Sequence, residues 1–163
     1  MKKILVAYAT KTGSTAEVAV EIGKTLAGLG REVDVKPIAE AGELSAYSSF
    51  VIGAPINGFR WRQDALDFVS ANRAALSAKP TAFFLLSIMY GHGRPSARRK
   101  AETFLAPVGA LVKPVSTGFF GGVMASAPPW PLRVMFGVKK DAPRDARDWN
   151  AIRTWAAELA EKL

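Results

Sequence analysis

The chain has 163 residues, with 22 Lys or Arg against 14 Asp or Glu and one His, and so carries a formal net charge of +8. Hydrophobic residues make up 49% and charged residues 22%, the balance of a globular domain with a sizeable core and not of a disordered chain. With no cysteine, this chain cannot itself hold a disulfide scaffold, a thiol nucleophile, thiolate-ligated zinc or an iron–sulfur cluster.

In chain order, residues 3–9 (KILVAYA) form a short apolar, β-branched run of the kind found in buried parallel strands. A helical pattern follows from Ser14, with Val18, Ile22, Leu26 and Leu29 on one face and Gly30 as its stop. Residues 32–38 (EVDVKPI) alternate as a strand does, and Pro37 marks its end or a sheet edge. Residues 49–56 (SFVIGAPI) read as another buried strand. A helix over 64–76 carries Leu66, Val69, Ala75 and Leu76, with Asp64 at its N-cap. Residues 80–88 (PTAFFLLSI) are the most apolar strand and the expected sheet centre. Residues 96–105 read as helix, 113–123 (KPVSTGFFGGV) as a glycine-interrupted strand, and 124–143 as an irregular, proline-rich insertion. The last helix starts near Asp145 or Asp148 and buries Trp149, Ile152, Ala156, Leu159 and Leu163 at spacings of three and four.

Strands alternating with helices at these lengths imply a parallel sheet covered on both faces, because parallel neighbours need crossovers. Residues 1–163 therefore read as one α/β domain with a doubly wound five-stranded sheet of order 2-1-3-4-5. Ligands of such sheets bind beyond the strand carboxyl ends, at the switch point between the first and third strands. Three loops lie there: 10–15, 55–63 and 87–95.

The charge is uneven. Residues 90–140 hold eight cations (Arg94, Arg98, Arg99, Lys100, Lys113, Arg133, Lys139 and Lys140) and one acid, Glu102, which makes +7 of the total. Such a field favours anionic partners, or it is a solvated basic face. Lys2-Lys3 precedes an apolar run too short for a secretory signal, which places the mature start near Met1. The longest apolar stretch, 82–90, is well below the ~20 residues that span a bilayer. The expected location is cytoplasmic, with a peripheral position at the inner face of the membrane left open.

The first strand runs straight into Thr10-Lys11-Thr12-Gly13-Ser14-Thr15, and a helix follows at once. Backbone N–H groups at a helix start converge on an anion, the hydroxyls add donors, and Gly13 lets the backbone approach closely; the loop suits a phosphate. A bare N-cap would need only one of these hydroxyls. The endings of a P-loop and of a dinucleotide fingerprint are both absent. This loop matches the Thr/Ser-x-Thr-Gly-x-Thr pattern. With the Val51-Ile52-Gly53-Ala54-Pro55 strand end and the Asp148-Trp149-Asn150-Ala151-Ile152 opening of the last helix, the chain resembles the flavodoxin family over nearly its whole length. It looks most like the branch containing menaquinone-dependent protoporphyrinogen oxidase. The resemblance implies a flavodoxin-like fold and FMN as cofactor, its phosphate held by Thr10, Lys11, Thr12, Gly13, Ser14 and Thr15.

In the second loop, Phe59 or Trp61 is placed to stack on the isoalloxazine ring, and Asn57 to bond a ring heteroatom; plain packing on the following helix is equally open to Trp61. By the resemblance Pro55 and Gly58 join this loop, Gly58 permitting the peptide flip that accompanies flavin reduction. The third loop brings Ser87, Met89 and the aromatic face of Tyr90, with Gly91 and Gly93 loosening the backbone. His92, the single histidine, either donates to flavin or substrate or is a solvated loop residue, and no metal site is expected. Arg94, Arg98 and Arg99 are substrate candidates whose forks suit carboxylates, and they put a basic cluster beside the flavin edge.

The resemblance implies an FMN-dependent oxidoreductase passing reducing equivalents from a porphyrinogen-like anionic substrate to a quinone. The alternative is a flavodoxin-type electron carrier that docks an acidic redox protein through a basic face. Typical flavodoxins are acidic, so +8 fits the carrier poorly. Residues 128–136 (PPWPLRVMF) read as a proline-rich lid packed on the domain, with membrane contact as the other reading. This segment is shorter and less basic than the insertion of the oxidases. No recognition helix, aromatic platform or basic repeat supports nucleic-acid binding.

Overall fold

The computed structural model describes residues 3–124, 128–141 and 143–163. Its elements in chain order are β1 (Lys3–Tyr8), α1 (Ser14–Gly28), β2 (Glu32–Pro37), β3 (Ser49–Asn57), β4 (Arg60–Trp61), α2 (Gln63–Ala71), α3 (Arg73–Ser77), β5 (Thr81–Ser87), α4 (Ile88–His92), α5 (Pro95–Glu102), α6 (Ala106–Leu111), β6 (Ser116–Gly121), α7 (Trp130–Phe136) and α8 (Trp149–Leu159).

The sheet order is β2-β1-β3-β5-β6, with the two-residue β4 hairpinned antiparallel onto β3. The pairings among the five main strands are parallel, and these strands follow the doubly wound succession expected of them. β2 is an edge strand, where Pro37 costs no ladder bond toward a further neighbour. The sheet centre is β3 and not the more apolar β5. β5 is buried at every position because helices cover both its faces, which does not require the central place.

Alternate residues of each strand feed two cores. On one face, Val18, Ile22 and Leu26 of α1 and Ile152, Ala156 and Leu159 of α8 pack on Ile4, Val6, Val51 and Phe84. On the other, Val69, Leu76, Ala101 and Val108 meet Leu5, Ile52, Phe83 and Leu85. Fully burying each such side chain stabilises the fold by about 1.5–3 kcal/mol.

Four expectations are corrected. The helix over 64–76 is two, broken at Asn72, whose side-chain amide donates to the Phe68 carbonyl and terminates α2. Asp64 is not its N-cap; Arg62 holds that position, and the Asp64 carboxylate accepts from the Arg62 Nε instead. The last strand is shortened to Ser116–Gly121, with Pro114 outside it. Within 124–143, α7 forms because Pro131 fits a first turn, Leu132 and Phe136 share a face turned to the core, and Gly137 (φ 72°) stops it. Residues 125–127 and 142 of that segment lie outside the described residues. α8 starts after Asp148, whose side chain caps the Ala151 N–H at 3.0 Å.

Candidate functional site

The loop from β1 to α1 is closed by its own side chains. The Thr10 hydroxyl accepts from the Gly13 N–H at 2.9 Å, and Gly13 sits at φ 95°, the left-handed region that disfavours a side chain. The Gly13 carbonyl takes the Glu17 N–H, so the Ser14, Thr15 and Ala16 N–H groups open the helix without helical acceptors. Thr15 is fully buried, and its hydroxyl has no partner among the described residues. Such an orphan costs about 1–3 kcal/mol, and a phosphate oxygen in the loop would supply the missing acceptor. Lys11 and Thr12 are exposed at the loop tip. The loop therefore fits a phosphate on structural grounds as well as on composition.

Arg147, which composition did not single out, braces this loop from behind. Its guanidinium bonds Asp145 at 2.8 Å, Glu17, and the Ser14 carbonyl at 3.3 Å, and it covers the Trp149 ring at 4.8 Å. The Asp145 hydrogen bond holds the Arg147 pKa above its ordinary value against the opposing effect of burial.

The second loop is a tight hairpin. Asn57 pairs with Arg60, and between them Gly58 (φ 58°) and Phe59 (φ 62°) both take positive φ, as the mirror-image turns of two-residue hairpins require. For Phe59 that conformation is strained. Its ring is 54% exposed and leans on Phe136 at 5.8 Å. Trp61 is corrected to a core residue. It is 2% exposed, its indole N–H donates to the Phe84 carbonyl at 3.2 Å, and its ring meets Phe83 edge-on.

The third loop is the short helix α4, capped by the Ser87 hydroxyl accepting from the Met89 N–H at 3.1 Å. Tyr90 does not line the cleft; its ring stacks on Phe119, and the Arg98 guanidinium lies 5.7 Å from its centroid. Gly91 and Gly93 do not loosen the chain; they allow close packing. A Cβ at 91 would lie 2.8 Å from the Gly121 Cα, and one at 93 would lie 2.2 Å from the Met89 carbonyl oxygen. His92 is half-buried, its Nε2 has no partner, and burial lowers its pKa.

These elements enclose a cleft of about 500 Å³ at the carboxyl ends of β1, β3 and β5. Lys11, Thr12 and Ser14 line one end, 55–59 one side, and 86–89 another; Gly122, Val123, Leu132 and Phe136 complete it. The volume is that of a small-molecule site, and its walls are mainly apolar. Of the expected residues, Lys11, Thr12, Ser14, Pro55, Asn57, Gly58, Phe59, Ser87 and Met89 line it, whereas Thr10, Gly13, Thr15, Trp61, Tyr90, Gly91 and His92 do not. Gly122 and Val123 follow the end of β6, so the rule for strand carboxyl ends could have found them. Leu132 and Phe136 had no such signal.

The basic candidates are displaced as well. Arg94 bonds the Val134 and Met135 carbonyls, and Arg98 donates to the Gly93 carbonyl at 3.3 Å. Arg99 is exposed, and neither it nor the other two lines the cleft. Arg94 and Arg98 are turned to backbone carbonyls at the end of α7 and just after α4, and Arg99 stands on the exposed side of α5. Among the described residues, no helix is long and apolar enough to cross a membrane.

A family model described as a flavodoxin domain matches residues 5–128. The curated protoporphyrinogen IX dehydrogenase (quinone) of Escherichia coli strain K12 is 28% identical over 103 residues, covering 62% of this chain and 55% of that protein. The chain thus matches about half the length of its curated relatives. Oxidised flavodoxin 2 from Bacillus cereus superposes with a TM-score of 0.63 at 19% identity, covering 99% of both chains. The flavodoxin of Streptococcus pneumoniae TIGR4 gives 0.61 at 17% identity, again with 99% of each chain. The chain belongs to the flavodoxin domain family, and FMN is the cofactor this membership brings.

Proposed function

We propose, from the premise of a flavodoxin-domain protein with FMN as its cofactor, that this chain is an oxidoreductase drawing reducing equivalents from a porphyrinogen-like, carboxylate-bearing substrate and passing them to a quinone. The observation that carries the reading is the two-ended cleft: hydroxyls and the α1 start at one end, apolar walls from β3, β5 and α7 at the other. The likeness to the E. coli dehydrogenase supplies the substrate pair.

Bound FMN supplies the redox chemistry, and the chain binds and orients. Thr10 shapes the loop through Gly13, while Ser14 and Thr15 present N–H and hydroxyl groups to the phosphate. Pro55, Ile56, Leu86, Met89, Leu132 and Phe136 give an apolar surround that keeps water from the ring. Asn57 and the hairpin tip offer polar groups at the cleft edge. Lys11 adds positive charge near the phosphate end.

An anaerobic assay with FMN-loaded protein, protoporphyrinogen and a menaquinone tests this. Porphyrin fluorescence rising only when protein, FMN and quinone are all present supports the reading. Protein that takes up FMN yet gives no quinone-dependent rate overturns it and favours the carrier.

A further inference from the structure

A second cleft, of about 590 Å³, adjoins the cofactor cleft on the outer side of the β3–β4 hairpin and shares Lys11, Asn57 and Gly58 with it. The charged residues lining it are Lys11, Arg60, Arg62 and Asp64. Arg62 and Asp64 satisfy each other, with Nε 2.9 and 3.0 Å from the two carboxylate oxygens. Lys11 and Arg60 are exposed and have no hydrogen-bond or ion-pair partner among the described residues. The cleft is left with two unmatched cations. Arg60 is fixed in place by its ladder position opposite Asn57, next to the strained turn.

We infer that this basic cleft is the subsite for the carboxylates of the substrate, with Arg60 as the residue that selects them. The inference rests on the function proposed above and names the part of the surface that serves it. A guanidinium fork binds a carboxylate with two parallel hydrogen bonds, and an ammonium beside it adds a point charge. Because the two clefts share Lys11, Asn57 and Gly58, an acid held at Arg60 keeps the rest of its molecule at the mouth of the cofactor cleft. Arg94 and Arg98 cannot take this role without giving up the carbonyls they hold. Arg99 lines neither cleft.

The test compares binding of protoporphyrin IX and of its dimethyl ester, which keeps the macrocycle and loses both carboxylates, to FMN-loaded protein by porphyrin fluorescence. Arg60→Gln is expected to raise the Kd for the acid about tenfold, the loss of one charge-assisted contact, while leaving ester and FMN affinities unchanged. Arg60→Lys recovers part of the loss, and Arg99→Gln changes the acid Kd by less than about twofold. Equal affinity of the unaltered protein for acid and ester overturns the inference and leaves the proposed function standing. So does an Arg60→Gln effect that is absent or the same for both ligands. FMN-loaded protein that binds neither porphyrin overturns the proposed function, and this inference with it.

Discussion

Arg94 donates through its guanidinium to the Met135 carbonyl at 2.8 Å and also reaches the Val134 carbonyl, while its backbone N–H meets the Phe136 carbonyl at 3.0 Å. The start of α5 thus clasps the end of α7, where a cation is favoured by the exposed carbonyls of the last turn. The same helix supplies the Leu132 and Phe136 side chains to the cofactor cleft.

Arg94→Ala is therefore expected to weaken FMN binding without touching FMN. Losing exposed side-chain bonds costs about 0.5–1.5 kcal/mol, so the Kd should rise roughly three- to tenfold. Flavin fluorescence quenching measures it. An unchanged Kd shows that α7 holds its place without the clasp.

Thr15→Val separates the phosphate role of the loop from its structural role. The hydroxyl is buried and unpartnered in the protein without ligand, so replacing it with a methyl group should leave the apoprotein as stable or more so, by about 1 kcal/mol. FMN affinity should fall about tenfold, because the phosphate loses one donor. Thermal unfolding of the apoprotein and an FMN titration read the two opposite effects. Apoprotein destabilised by the substitution would mean that the hydroxyl has a structural partner.

The Phe84 ring fills the space that a side chain at Gly53, its partner on the neighbouring strand, would need. A Cβ at 53 would lie 1.9–2.3 Å from the Phe84 ring. Gly53→Ala is expected to cost at least about 1–3 kcal/mol, the usual price of overpacking a core. Pairing it with Phe84→Leu should return part of that loss, which urea unfolding of the single and double variants measures.

Acid should destabilise the protein in two stages. Burial lowers the pKa of His92, so the folded state resists a proton that the unfolded chain accepts below about pH 6.5. Asp145 is held below the ordinary carboxylate range by its bonds from Arg147, and Asp34 by those from Lys3 and Tyr47. The stability these carboxylates contribute is full above their unfolded values and is lost as the pH falls below about 4. Thermal midpoints across pH should decline in both windows. His92→Gln should flatten the first decline, and Asp145→Asn should reduce the second.

The shape of the β1–α1 loop was legible because its closure is local: the Thr10 hydroxyl accepts from the Gly13 N–H three residues on. The buried strands were legible for the same reason, since each carries its own apolar run. What could not be read was direction. Trp61 and Tyr90 stand beside the right loops, but their rings are committed to Phe83 and Phe119 from distant strands. Gly91 looks like a flexible joint until Ala146 and Gly121 are seen packed against it. The basic run after Tyr90 suggested an anion site, yet Arg94 and Arg98 are spent on carbonyls. The unmatched cations of the second cleft are Lys11 and Arg60, separated along the chain and brought to one cleft by the β1–α1 loop and the hairpin. α7 was hidden because seven residues interrupted by a proline do not establish a period.

The most direct test of the account compares FMN with riboflavin on the apoprotein by fluorescence quenching. The two ligands share the ring and differ in the phosphate. FMN is expected to bind saturably and riboflavin more weakly by ~100-fold or more, since the loop offers several N–H groups and the Thr15 hydroxyl to the phosphate alone. Equal affinity for the two, or no FMN binding at all, would contradict it.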